Sequence, residues 1–336
     1  SEVSPQHLPV FQPHSAIQCF STVASSVVRL SPAGPVQEPI ASENRYKQAA
    51  NPLIGELLSR SKPSYTHAEL AEFGVSVQSF DPEDPNFTDS EACLFQPLTQ
   101  KELEEYKLDK RGLTNDEKRY LFRFKDTFND VPQDPSDPEH YQMWDRACQF
   151  LFLLDLFESY HMKEMDGHIF SIGRASYWDN IKAVESFTNT PPGMMLGIKL
   201  GYSAPQALPR WDTFSICQWA DEDQKTTRPH IKLVTLTSAK AKENELLHGE
   251  IGSIANSIQC RVRQPEFRNA SIFPVLMLSL FGPRHGRILQ ANLDNSGTLK
   301  VLSSPVYSFV DSDEKMKLFV RYNNSKARDG REFGPL

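Results

Sequence analysis

The spacing of apolar and polar residues changes near residue 168. Before that point, apolar residues recur every three or four positions, which is typical of helices. Three motifs of the form Thr-x-x-Glu predict helix starts, because the threonine hydroxyl and the glutamate carboxylate can satisfy the first free backbone amides. They begin at Thr66, Thr99 and Thr114. The amino-terminal half of the chain is therefore predicted to be helical.

The longest predicted helix begins at Pro138 and continues to about Met165. Its middle, residues 150–157, is apolar nearly all round, which favours a buried central helix. One carboxylate, Asp155, interrupts this apolar run. A buried carboxylate costs free energy unless it has a partner. Asp155 is therefore either a structural acceptor or an acid with a raised pKa beside a small-molecule pocket.

After Gly167, short apolar and alternating runs predict strands. The predicted strands are 194–200, 213–219, 231–237, 272–281, 287–293, 298–302 and 306–310, with an edge strand at 316–322. Between them, residues 239–262 return to helical spacing, because Leu247, Ile251, Ile254, Ile258 and Val262 form one apolar stripe. Short links between the last strands require antiparallel neighbours.

These elements predict an α+β fold, in which a helical amino-terminal half packs on a mixed, largely antiparallel sheet in the carboxy-terminal half. The predicted segments are a Pro-rich extended arm (1–42), a helical region (43–168), a mixed sheet domain with one long amphipathic helix (169–322, helix 239–262) and a polar tail (323–336). The arm has no charged residue between Val3 and Val28. Such a segment is available to a protein partner.

Composition narrows the function classes. The 336 residues contain no apolar run long enough for a membrane span and no basic start of a signal peptide, and the five cysteines lie far apart. We therefore expect a cytoplasmic or nuclear protein that does not contact a membrane. The net charge of −7 disfavours general attraction to nucleic acid, so that a nucleic acid could bind only at a local basic patch.

One group of residues could support metal-dependent catalysis. Asp212 directly precedes the predicted strand 213–219, and Asp223 and Lys225 come just after it. A metal-dependent nuclease uses carboxylates to hold Mg²⁺ and a lysine to steady the attacking water and the phosphate. The alternative is a solvated turn, because Lys225 runs directly into Thr226-Thr-Arg-Pro229.

The order of the elements around these residues, which is strand, strand, helix and then a meander, is similar to the second half of the restriction-endonuclease-like fold. That resemblance implies that Asp212, Asp223 and Lys225 come together, with a glutamate such as Glu185 upstream. The blocks 273–290 and 191–197 also resemble uncharacterised intracellular proteins of filamentous fungi. This second resemblance implies no activity and no site residues.

Two further groups were weighed. His161, Glu164, Asp166 and His168 lie within eight residues, but they lack a zinc-binding spacing and are more typical of a charged helix end, so no metal site is predicted there. In the turn after residue 281, Arg284, His285 and Arg287 could hold a phosphate or carboxylate. The alternative for these three is a hairpin tip whose charges are solvated.

No complete catalytic set accompanies this pattern, and the phosphate-binding loop, dinucleotide fingerprint and hydrolase elbow are all missing. The sequence therefore favours a non-enzymatic binding or scaffold protein with a degenerate nuclease-like domain. Two enzyme hypotheses remain open. The first is a metal-dependent nuclease or phosphodiesterase that uses Asp212, Asp223, Lys225 and Mg²⁺, and the second is a small-molecule enzyme with the acid Asp155.

Overall fold

The computed structural model describes residues 41–60, 62–118, 138–180, 200–204, 207–220, 227–267, 270–282, 284–293, 297–309 and 313–328. The predicted arm lies outside these ranges except for its last two residues. The predicted strand 194–200 lies outside them except for Leu200. The fold is described for these ranges alone.

Within them, helices and strands alternate up to residue 165, and runs of consecutive strands follow. The helices are α1 (Ala41–Ser59), α2 (His67–Glu72), α3 (Pro85–Thr88), α4 (Gln100–Glu104), α5 (Pro138–Tyr160), α6 (Ile172–Ala175), α7 (His248–Val262) and α8 (Asp313–Asn323). The strands are β1 (Ser64–Thr66), β2 (Val75–Ser79), β3 (Phe95–Gln96), β4 (Lys107–Leu108), β5 (His161–Met165), β6 (His168–Ser171), β7 (Trp178–Asn180), β8 (Trp211–Ala220), β9 (Thr227–Thr237), β10 (Glu245–Leu247), β11 (Phe273–Phe281), β12 (His285–Leu293), β13 (Leu299–Ser303), β14 (Tyr307–Ser308) and β15 (Lys326–Ala327).

The central sheet has the strand order β2-β13-β12-β11-β9-β8-β7, and β14 pairs with β12. Strands β9 and β11 are parallel, with α7 between them in the chain, and β13 is parallel to β2. The other neighbours in this order are antiparallel. The predicted α+β fold with a mixed sheet in the carboxy-terminal half is therefore confirmed. One sheet strand, β2, comes from the region predicted to be helical.

Helices cover both faces of the sheet. On one face, α7 and α1 pack over a core that includes Leu233, Met277 and Leu289. On the other face, α5 and α8 pack over Val234, Leu278 and Ile288. Successive strand residues point to opposite faces, so the near-continuous apolar run in β11 is explained by burial on both sides.

The Thr-x-x-Glu motifs form as predicted. At Thr66, Thr99 and Thr114, each backbone amide donates to the carboxylate of the glutamate three residues later. Each of those glutamates in turn donates its own amide to the threonine hydroxyl. Gly74 has φ +78° and lies two residues after α2. A left-handed backbone of this kind is favourable for glycine and ends a helix.

Two predicted boundaries differ from the structure. Helix α5 ends at Tyr160 rather than Met165, because residues 161–165 form β5 of a hairpin whose turn has positive φ at Asp166 and Gly167. The predicted helix 239–262 begins only at His248. The preceding residues form β10, which pairs with β1, and the amide of Leu247 donates to the Glu250 carboxylate at 2.7 Å. That hydrogen bond caps α7 at its observed start.

The predicted edge strand 316–322 is wrong, because these residues belong to helix α8. Leu318, Phe319 and Tyr322 are buried against the sheet, whereas Lys315 and Lys317 are partly exposed. Burial at positions i, i+1 and i+4 matches one face of a helix.

None of the helices in the described ranges combines the length and the apolar character that crossing a bilayer requires.

Candidate functional site

Asp212 is the residue of the predicted nuclease group that the structure describes. It lies at the start of β8, half-buried and opposite Leu236 of β9. Asp223, Lys225 and Glu185 lie outside the described residues. Whether Asp212, Asp223 and Lys225 come together therefore stays a prediction.

The surroundings of Asp212 are partly charged. Burial raises the pKa of the nearby Cys148 thiol to about 12, and the negative charges of Asp145 and Asp212 add to that rise, while Arg210 opposes it. The Arg210 guanidinium lies over the Trp144 ring, 4.0 Å from its centroid. A protonated thiol with this pKa is a poor nucleophile at neutral pH. Cys148 is thus part of the packing rather than a reactive cysteine.

The two arginines of the predicted anion-binding turn are buried rather than exposed. Arg287 is 0% exposed, and its guanidinium forms a two-pronged ion pair with Glu250 of α7, with Nε donating to Oε1 at 2.8 Å and Nη2 donating to Oε2. Its Nη1 donates to the Lys242 carbonyl at 3.2 Å. Arg287 therefore serves a buried structural pair and has no solvent-facing donor for an anion.

Of the other two residues of this turn, Arg284 is also buried, whereas His285 is half-buried. Arg284 is 3% exposed and adopts φ +119°, and its carbonyl accepts the amide of Phe309 at 2.9 Å. The His285 ring stacks on Phe281. Hence Arg284 and Arg287 are not the solvated charges of a hairpin tip, which was the alternative for this turn. Anion binding by Arg284 and His285 stays a prediction.

The Arg287–Glu250 pair affects His67, which lies in the first turn of α2. Burial lowers the pKa of His67, and the positive charge of Arg287 lowers it further. Because the folded-state pKa lies below the ordinary value of 6.5, His67 contributes its full share of stability above that pH. The contribution is lost as the pH falls through the lower folded-state pKa.

We therefore expect His67→Gln to make the free energy of unfolding less sensitive to pH between pH 8 and pH 5. The measurement is urea denaturation of both proteins across that range. Equal slopes for the two proteins would contradict this assignment of the linkage.

The residues His161, Glu164, Asp166 and His168 lie on the β5–β6 hairpin. The His161 ring stacks on Phe157, with ring centroids 3.6 Å apart, and its Nδ1 donates to the Phe157 carbonyl at 2.8 Å. In the described part of the chain, no group of three or more histidine, cysteine, aspartate or glutamate side chains is arranged to hold a metal ion.

The most developed polar group surrounds the last turns of α5. Asp155 and Glu158 are three residues apart, so they project from the same side of the helix. Asp155 was expected to be buried in the apolar run, but its side chain is exposed. The residues around it on α5, Leu154 and Leu156, are buried. Asp155 therefore lies at the border between the core and solvent.

Glu158 is held by two amides from the end of α8. Asn323 Nδ2 and Asn324 Nδ2 donate to its Oε1 at 2.6 and 2.5 Å. Asn324 Nδ2 also donates to the Val320 carbonyl at 2.9 Å, which fixes that amide against the helix. Both asparagines are buried, each 7% exposed. Glu158 Oε1 is thus fully used.

The positive charge in this group comes from Lys232 of β9. Lys232 is 6% exposed, and its Nζ donates to the Asn323 carbonyl at 2.5 Å and lies 5.3 Å from the Trp178 ring centroid. Trp178 Nε1 in turn donates to the Ser325 carbonyl at 2.7 Å. We call Asp155, Glu158, Lys232, Asn323 and Asn324 the acid–lysine cluster.

The two carboxyls of the acid–lysine cluster influence each other. Desolvation raises the pKa of Asp155 to about 7, the negative charge of Glu158 adds to the rise, and Lys232 opposes it. Burial also raises the pKa of Glu158, against the effects of Lys232 and the two asparagine amides. Two neighbouring carboxyls with raised pKa values are candidates for a functional site.

Several oxygens of this group have no hydrogen-bond donor. Among the described residues, no hydrogen bond or ion pair involves the two Asp155 oxygens. The same is true of Glu158 Oε2, since both asparagines donate to Oε1. Asn323 Oδ1 and Ser325 Oγ are buried and also without a partner. Buried polar atoms are nearly always paired, so Asn323 Oδ1 and Ser325 Oγ need an explanation, whereas the Asp155 oxygens can be hydrated because the side chain is exposed.

Comparison of the chain with protein-family models, with curated proteins and with solved structures gives no match. The physical arrangement of the described residues is therefore the basis for any assignment of function.

Proposed function

We propose that this protein is a binding protein and that the acid–lysine cluster is its ligand site. The ligand is a small molecule or ion that carries positive charge or hydrogen-bond donors. The observation that carries the proposal is the pair of carboxyls of Asp155 and Glu158 beside Asn323, whose buried Oδ1 has no hydrogen-bond partner among the described residues. A ligand with donors or positive charge would satisfy them.

The single cation of the cluster supports this choice of ligand. Lys232 Nζ is buried and already donates to the Asn323 carbonyl. One lysine next to two carboxylates leaves the cluster with an excess of acceptors and of negative charge when both acids are ionised. An anionic ligand would meet that excess directly, so the geometry disfavours it.

The proposal includes the similarity in element order to the restriction-endonuclease-like fold. The run β7, β8, β9, α7 and β11, with β9 parallel to β11, supports a nuclease-like layer under the cluster. Within it, Lys232 lies opposite Cys217 on β8, whereas Asp212 lies opposite Leu236, four residues further along β9. The acid–lysine cluster is therefore separate from the predicted nuclease group. A small-molecule enzyme that uses Asp155 is the alternative at the same cluster.

A matched series of four-carbon compounds tests the charge preference. Putrescine is a dication, 1,4-butanediol is a neutral donor and succinate is a dianion. A ligand that binds the folded state raises the melting temperature. We expect putrescine or 1,4-butanediol to raise the melting temperature of the wild-type protein, and succinate to leave it unchanged.

Two variants locate the effect. Asp155→Asn removes one charge from an exposed position without changing the size of the side chain, so the shift should shrink. Glu314→Gln, at an exposed position of α8, should keep the full shift. Equal shifts in all three proteins, or a shift with succinate alone, would contradict the proposed site.

A further inference from the structure

Strand β2 forms one edge of the central sheet. It is the first strand in the sheet order, and it pairs in parallel with β13 on its inner side. The Leu299 amide donates to the Gly74 carbonyl at 3.2 Å. At the other end of the strand, the Phe80 amide donates to the Ser303 carbonyl at 3.1 Å. Alternate residues of a strand direct their backbone groups to the same side, so positions 74, 76, 78 and 80 bond to β13.

The positions between them direct their N–H and C=O groups away from the sheet. These positions are Val75, Val77 and Ser79, and among the described residues no backbone hydrogen bond on the outer side of β2 involves them. Val75 is buried, Val77 is half-buried, and Gln78 and Ser79 are exposed. The second half of β2 is therefore an open strand edge, which we call the β2 edge.

The β2 edge lacks the features that usually prevent a sheet edge from pairing. Native edge strands are often protected by charged residues, by proline or by a bulge. β2 has the sequence Val-Ser-Val-Gln-Ser, without charge or proline, and its register with β13 is continuous. Such an edge can accept an extended segment as an additional strand.

The chain that leaves β2 is acidic. Burial raises the pKa of the Tyr307 hydroxyl, and the negative charges of Asp81, Glu83 and Glu243 raise it further, which places the three acids in one neighbourhood. Lys315 pairs with Glu83 at 2.7 Å. Asp81, which is exposed, lies two residues after the end of β2. The exposed half of the β2 edge therefore lies beside an excess of negative charge.

We propose that the β2 edge binds an extended, basic segment of a partner protein, which adds a strand beside Val77 and Ser79. Main-chain hydrogen bonds to the outward groups would hold the segment, and lysine or arginine at its ends would face the acids. The cation of β13, Lys300, lies opposite Ser76 in the first half of β2. This surface is separate from the acid–lysine cluster, because β13, β12 and β11 lie between β2 and β9 in the sheet.

A second copy of the chain fits the β2 edge less well. Two β2 strands paired antiparallel about a two-fold axis at Val77 would place Asp81 of one copy opposite Phe73 of the other. The adjacent residue, Glu72, is also exposed. The pairing would therefore bring like charges together at both ends, which is destabilising.

The experiment measures binding of a fluorescein-labelled peptide, Lys-Thr-Val-Thr-Val-Thr-Lys, to the full chain by fluorescence anisotropy. Its threonines and valines favour an extended strand. We expect the wild-type protein to bind this peptide, and to bind the counterpart with glutamate in place of both lysines about tenfold less tightly or weaker still. A tenfold change corresponds to about 1.4 kcal/mol.

Val77→Pro tests the strand pairing. Proline lacks an N–H group, and at this position the lost N–H points outward, so that the hydrogen bonds to β13 remain. We expect this variant to bind the lysine peptide about tenfold less tightly or weaker still. Val77→Thr is the matched control, because it keeps the amide and the branched side chain, and it should bind as the wild-type protein does. If Val77→Pro does not fold, Ser79→Pro removes the next outward N–H at an exposed position.

Three results would overturn the proposal. The first is absence of lysine-peptide binding by the wild-type protein, and the second is equal binding by the proline and threonine variants. The third is equal binding of the lysine and glutamate peptides, which would remove the preference for a basic segment. Light scattering examines the remaining occupant, since a wild-type dimer that Val77→Pro dissociates would assign the β2 edge to a second copy instead.

Discussion

Replacing Glu250 with alanine should lower the free energy of unfolding by about 3–5 kcal/mol, because it leaves an uncompensated charge in the core. Arg287 has no exposed surface, and two of its guanidinium nitrogens donate to the Glu250 carboxylate. The same carboxylate accepts the amide of Leu247 at the start of α7. The substitution therefore removes an ion pair and a helix cap together.

Urea denaturation at pH 7 measures the loss. Glu314→Ala is the matched control, because Glu314 forms an exposed ion pair with Lys317, and such pairs contribute about 0–1 kcal/mol. The double variant Glu250→Leu with Arg287→Met should recover much of the stability, since apolar residues of similar volume can replace a buried pair. A loss for Glu250→Ala no larger than that of the control would show that Arg287 finds solvent or another partner.

The ion pair between Arg287 and Glu250 could not be predicted from local sequence patterns. The turn between β11 and β12 could be predicted from two apolar runs around Gly282 and Gly286. However, Arg287 pairs with Ser279 and therefore lies on the same face of the sheet as Met277 and Leu289. Helix α7 covers that face. Its partner, Glu250, is 37 residues away in the chain. A local pattern of arginines and glycines contains no information about that partner.

The elements that were predicted correctly depend on local physics. Threonine and glutamate three residues apart satisfy each other's backbone amides wherever they occur, so the capping motifs formed as expected. The wrong strand prediction at α8 arose because tertiary packing, rather than local sequence, decides the structure there. Residues 316–322 contain apolar residues in a spacing that fits a strand or a helix, and packing against the sheet decided between them.

The acid–lysine cluster could be predicted only in part. Asp155 stood out because a carboxylate interrupts an apolar helix. Lys232 gave a weaker signal, since it lies in a strand whose neighbours Ile231 and Leu233 are fully buried. Asn323 and Asn324 were placed at the start of a polar tail, yet both are buried against Glu158. Their role depends on how α8 ends beside α5, which is a tertiary contact between distant parts of the chain.

The second large effect is expected at Phe150 of α5, the helix that carries Asp155 and Glu158. Phe150 is 1% exposed, and its ring stacks on Phe309 at a centroid distance of 3.9 Å and meets Phe319 edge to face. Phe150 therefore joins α5, α8 and the segment after β14 in one aromatic contact. Phe150→Ala should lower the free energy of unfolding by about 3–5 kcal/mol, through lost burial and the cavity left behind.

Urea denaturation again provides the measurement, and Phe152→Ala on the same helix is the control. Phe152 is only partly buried, so its truncation should cost clearly less than that of Phe150. The smaller change Phe150→Leu should fall between the two, because leucine fills part of the cavity that alanine leaves. If Phe150→Ala costs no more than Phe152→Ala, α5 does not depend on this contact. The position of Asp155 and Glu158 over Lys232 would then have to be fixed by the asparagines of α8 instead.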